Sequence, residues 1–135
     1  YIKEQYDNKD IEWKFFKFHS SNYGPFKKYG DFFGDGSLLV IPLPGHSPGS
    51  VGFLLNLKGG KRVFILGDSV WHQDQVVHLR KKMFISSHLV DADKKQTFET
   101  IRRLHFLHKA NQDIEFLPSH HFEAIKFIPL YPEFM

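Results

Sequence analysis

Residues 37–57 read SLLVIPLPGHSPGSVGFLLNL. An apolar run, Leu38 to Ile41, leads into residues 42–50, which hold three prolines, two glycines and two serines around one histidine, His46. A second apolar run, Val51 to Leu57, leaves it. Short continuous apolar runs bounded by turn residues mark buried strands, so the middle segment reads as a stiff turn between two of them. Pro44 and Pro48 fix φ on either side of His46, and Gly45 and Gly49 permit turns that a β-carbon forbids. Such a frame suits a side chain whose direction must be held, and Ser47 and Ser50 are candidates to hydrogen-bond behind it.

Working outward, "IEWKFFKF" (11–18) is aromatic and partly alternating, a strand candidate. Residues 20–36 are a long loop closed by Asp35-Gly36, a pair that favours a tight turn with positive φ. "VGFLLNL" and "RVFIL" flank "KGGK" as a hairpin, and the second of these strands ends at Gly67-Asp68. Residues 69–90 are irregular. Asp91 or Asp93 then reads as the N-cap of a helix over 94–110, with Phe98, Ile101, Leu104 and Leu107, joined by Thr97 and His108, on one mostly apolar face. "DIEFLP" (113–118) is a short strand ending in Ser-His-His, and the segment from Phe122 holds one or two helical turns before Pro129 and Pro132 stop it. The pattern predicts one α/β domain over residues 1–135 with a mixed sheet.

Composition narrows the function. With 18 Lys+Arg against 15 Asp+Glu, the net charge is only +3, and the basic residues fall in scattered pairs that read as solvated faces rather than a nucleic-acid surface. The chain has no cysteine, so any transition metal must be held by His, Asp or Glu. No stretch reads as a targeting segment or as a membrane span, and a cytoplasmic location is expected. The first residue is Tyr1, and the opening reads like the middle of a longer protein.

Three polar residues share one placement. His46 lies just past the strand of 37–43, Asp68 ends the strand of 62–66, and His120 follows the strand of 113–117. In open α/β sheets, sites gather at the C-terminal ends of strands. Two imidazoles and a carboxylate suit zinc, iron or manganese. Trp71 and His72 follow the Asp68 strand and are candidates for a substrate pocket, with a packed Trp and an exposed His as the plain alternative. His121 reads as a supporting or surface residue. His105 and His108, at i, i+3, read as a helix surface or a partly buried face.

The ordered motifs "PGHSPGS", "LGDSVW" and "LPSHH" make the chain resemble the second half of a metallo-β-lactamase-fold hydrolase over roughly residues 30 to 122. The resemblance implies half of an αββα sandwich, with a mixed sheet and flanking helices. It implies that His46 is a ligand of one metal, His120 a ligand of a second, and Asp68 the catalytic carboxylate that bridges both. It also implies two zinc ions and a hydroxide that attacks the carbonyl of a small ester, thioester or lactone, as two-metal sites do. The family's His-x-His-x-Asp-His signature is absent from these 135 residues. Activity is therefore expected to need the N-terminal half of the fold, or a second copy of the chain. The alternatives are a nuclease of the same fold and a non-catalytic half-domain that pairs with another chain.

Overall fold

The computed structural model describes residues 10–83 and 89–126. A five-stranded sheet forms the centre, in the order β1 (Gly30–Asp31), β2 (Leu38–Pro42), β3 (Val51–Asn56), β4 (Arg62–Gly67) and β5 (Ile114–Pro118). The first three pairings are antiparallel and β4 pairs β5 in parallel. It follows that β2, β4 and β5 point the same way, and that their C-terminal ends share one edge. The sheet is mixed, as the sequence predicts.

Side chains alternate across this sheet with the two-residue period of a strand. Ile41, Leu54, Phe64 and Phe116 turn to one face, where the long helix α2 (Lys94–Ala110) and the short α1 (Gln73–Val77) cover them. From α2, Ile101, Leu104 and Leu107 enter this core, each contributing about 1.5–3 kcal/mol by burial. On the opposite face Val63 and Leu117 pack with Ala124 of α3 (Phe122–Ile125). Phe53 and Ile65, cross-strand partners on that face, remain 38% and 41% exposed.

The β3–β4 hairpin closes through a 3-10 turn at Lys58–Gly60, where Gly59 and Gly60 both take positive φ. Gly36 does the same before β2, beneath the Asp31 carboxylate, which accepts from Gly34 N and Gly36 N. Three expectations need correction. Residues 11–18 form no strand: they are exposed, and Phe16 packs on Phe18 and Phe32 instead of pairing along a sheet edge. The stretch after Asp68 is not wholly irregular. It contains α1, whose first turn is capped by the His72 side chain and by Gln75 Oε1, which accepts from Trp71 N and His72 N.

The third correction concerns α2. Its buried face is Thr97, Thr100, Ile101, Leu104, His105 and Leu107, while Phe98 is only partly buried beneath Lys81. Three-residue steps fall short of a full turn by about 60° each, so Phe98 drifts off the seam. Thr100 and His105 occupy it because they find backbone acceptors, Pro44 O and Val76 O, each at 2.7 Å. Among the described residues no helix is long and apolar enough to cross a membrane. His88 and everything past Lys126, including Pro129 and Pro132, lie outside the described residues.

Candidate metal centre

The loop after β2 is anchored along its whole length. Leu43 O accepts from Ser69 Oγ, Pro44 O from Thr100 Oγ1, Gly45 O from Asp93 N and His46 O from Ala92 N. Ser47 and Ser50 hydrogen-bond to each other through their hydroxyls at 2.9 Å and so close the turn. Gly45 has φ +136°, a conformation open in practice to glycine alone. It lies so close to Thr97 that no side chain fits between them. Gly49 meets no such limit.

The shared strand edge brings the three predicted ligands together. Asp68 Oδ2 is 3.7 Å from His46 Nε2, and Asp68 Oδ1 is 3.3 Å from His120 Nε2. Each carboxylate oxygen thus faces a different imidazole. The side chains are 26%, 48% and 62% exposed for His46, Asp68 and His120, so the cluster opens to solvent. Ser119 Oγ donates to Asp68 Oδ1 at 2.5 Å. That bond, with the nearby His46 and His120 rings, holds the Asp68 carboxyl below the usual carboxylate range, in the ionised form that metals bind.

These donors fit a divalent metal by type and by spacing. Two ligands of one tetrahedral ion, at bond lengths of about 2.0–2.2 Å, lie roughly 3.3–3.6 Å apart. The count is short, however. Among the described residues no group of three or more His, Asp or Glu side chains is placed to hold one ion. Each oxygen of the Asp68 carboxylate is paired with a single imidazole.

No protein-family model matches the chain. The N-acyl homoserine lactonase AttM of Agrobacterium fabrum is 28% identical over 105 residues, which are 78% of this chain and 38% of that protein. Its counterpart from Rhizobium radiobacter is 27% identical over the same shares. The chain therefore spans about two fifths of the curated relatives it matches. Among solved structures, an N-acyl homoserine lactone hydrolase with N-hexanoyl-L-homoserine at its catalytic metal centre superposes with a TM-score of 0.60 at 17% identity, over 77% of this chain and 38% of that one. A Bacillus thuringiensis AiiA mutant with N-decanoyl-L-homoserine in its active site gives the same values. A hydrolase of the β-lactamase superfamily matches 66% of this chain and 28% of its own, at 23% identity and a TM-score of 0.50.

The chain has part of the metallo-β-lactamase fold.

Within this part of the metallo-β-lactamase fold, the remaining sequence candidates sit around the trio. Trp71 packs edge-on to His120 at 5.5 Å, with Lys82 Nζ 4.7 Å from its ring centroid. His72 stacks on His121 at 3.9 Å, and His121 Nδ1 accepts from Gln73 N, which ties the start of α1 to the end of β5. Two residues escaped sequence reasoning. The His46 Nδ1 partner is Asp91, at 3.2 Å, while the helix cap is Asp93, which accepts from Gln96 N. Lys82, in a basic triplet read as solvated, is buried and paired with Asp91. No local pattern in the sequence separates it from its exposed neighbours Arg80 and Lys81.

Proposed function

We propose that this chain is the C-terminal, metal-binding part of a hydrolase that opens a lactone, of the acyl-homoserine kind on which its relatives are named. The observation that carries this reading is the Asp68 carboxylate set between His46 and His120 on one strand edge. His46 would serve one zinc ion, His120 a second, and Asp68 both, with iron or manganese acceptable to the same donors. Such ions, when bound, supply a deprotonated water at neutral pH and polarise a carbonyl oxygen. The protein's share is to hold the donors. The anchored 43–46 loop sets the His46 backbone, Ser119 hydrogen-bonds the Asp68 carboxylate and favours its ionised form, and Trp71 walls the His120 side.

Two donors per ion fall short of the three that a catalytic zinc takes. The remainder would come from the N-terminal half of the fold or from a second copy of the chain, packed on the sheet face that carries Phe53 and Ile65. A second reading, a half-domain that pairs without catalysing, draws on the absence of any three-donor group among the described residues. A nuclease gains little support from a net charge of only +3 carried by basic residues in scattered pairs.

Zinc titration of the full chain by calorimetry, followed by an N-acyl homoserine lactone hydrolysis assay, tests this. The expected result is zinc binding weakened at least tenfold in both His46→Ala and Asp68→Asn, and hydrolysis that depends on the metal and on the complementary half. Equal zinc binding by wild type and both variants overturns the site. A metal-free dimer with no hydrolysis under any pairing supports the non-catalytic reading.

A further inference from the structure

Lys82 and Asp91 form an ion pair with both side chains only 1% exposed. Burial of this depth makes the pair a weak source of stability, because the lost hydration offsets most of the attraction. Its geometry is more informative. Lys82 Nζ donates to Asp91 Oδ1 at 2.9 Å and to the backbone carbonyl oxygen of Asp68 at 2.7 Å. The same Asp91 oxygen lies 3.2 Å from His46 Nδ1. One buried pair therefore touches two of the three candidate ligands, at His46 Nδ1 and the Asp68 carbonyl rather than at the Nε2 and carboxylate oxygens that face each other. The chain on either side of it joins in, since Ala92 N donates to His46 O at 3.1 Å and Asp93 N to Gly45 O at 2.9 Å.

The chemistry of this contact fixes a proton. A carboxylate oxygen only accepts hydrogen bonds, so the bond to His46 exists only when Nδ1 carries the hydrogen. In the neutral ring the lone pair is then on Nε2, the nitrogen that faces Asp68 Oδ2. Imidazole ligands commonly depend on an outer carboxylate in this way, for ring direction and for tautomer.

We infer that Asp91 and Lys82 are positioning residues of the metal centre. Asp91 selects the Nδ1–H tautomer and the ring direction of His46, and Lys82 holds Asp91 and the Asp68 backbone in one rigid frame. This deepens the metal-centre reading and rests on it.

The test is run on the full chain with two variants. One is Asp91→Asn, and the other is the double change Lys82→Met with Asp91→Leu, which replaces the pair by apolar side chains of similar size. Long-range nitrogen–proton NMR of the metal-free protein, assigned against His46→Gln, reads the His46 tautomer directly. The expected result is a pure Nδ1–H form in wild type and its loss in both variants, with zinc affinity falling about 10–100-fold. The double variant is expected to fold, because the apolar swap removes both buried charges together, with a urea midpoint somewhat below wild type because Asp68 O loses its Lys82 donor. The inference is overturned by an Nε2–H form of His46 in wild type, or by a double variant that keeps the tautomer or the zinc affinity. A double variant that cannot fold also overturns it, by making the pair structural. A folded wild type that binds no zinc sinks the metal-centre reading instead, and the tautomer still decides the role of Asp91.

Discussion

Gly45→Ala is the most direct probe of how the site is built, because the substitution adds one carbon at a place where two independent costs meet. The first is conformational. At φ +136° a residue with a β-carbon is held in a region that costs about 1–3 kcal/mol. The second is steric. The added carbon would overlap the backbone nitrogen and Cα of Thr97 and stand 2.6 Å from its Oγ1. Those atoms belong to the first turn of α2 and cannot swing aside like a side-chain tip. Thr97 N is already bonded to Asp93 O, and Asp93 N to Gly45 O. Overpacking of this kind costs about 1–3 kcal/mol. Together the costs are about 2–6 kcal/mol, a large part of the 5–15 kcal/mol that a domain has. With a urea m-value of about 2 kcal/mol/M, the middle of the usual range, the unfolding midpoint should drop by about 1–3 M. Gly49→Ala is the matched control. It lies four residues on in the same loop, and an added carbon there meets nothing within 4 Å. It should change stability by less than about 1 kcal/mol, with a gain as its expected sign. Coincident urea midpoints for the two variants would refute the reasoning.

Three further outcomes are expected. Phe64→Ala, which empties a fully buried position next to the Phe116 ring, should cost about 3–5 kcal/mol in urea unfolding, and a loss below about 1 kcal/mol would show that the core is not centred there. Thr100→Val keeps the shape but strips Pro44 O of its buried donor, so it should cost about 1–3 kcal/mol and weaken zinc binding through the His46 loop. Burial, with the neighbouring His105 adding to it, pushes the His108 ring below its ordinary value of 6.5. The unfolded chain therefore takes up that proton first, so stability is whole above pH 6.5 and is lost as pH falls toward the folded value. Urea midpoints measured across this window should fall less steeply in His108→Gln than in wild type, and parallel slopes would rule His108 out.

The parts of the fold legible in the sequence were those where local pattern and tertiary demand agree. Apolar runs gave β2, β3 and β4, the Lys-Gly-Gly-Lys turn joined the last two, and a clear amphipathic stretch gave α2 over 94–110. What failed depended on distant partners. Residues 11–18 have the composition of a strand, yet contact with the β1 side is limited to the His19–Tyr29 bridge next to them and to the Phe16 ring over Gly30. Thr100 and His105 are polar, yet they are buried because Pro44 O and Val76 O await them. The site divides the same way. His46, Asp68 and His120 announce themselves through turn chemistry and strand ends. Asp91 and Lys82 owe their part to burial alone, and burial of one lysine in a triplet leaves no trace in residue type.

The direction of the last strand has a consequence for assembly. The strands that carry His46 and Asp68 are joined through the antiparallel β2, β3 and β4, and the His46 loop is then held by Asp91, Ala92, Asp93 and Thr100. His120 cannot join them until β5 has returned to lie parallel to β4, across a connection that includes α1 and α2. Such long crossovers are slow to close, because the entropy of the loop is lost before any contact repays it. The trio is therefore complete only when β5 is in place, and a chain that ends with α2 has the anchored loop of His46 and the carboxylate of Asp68 but not His120.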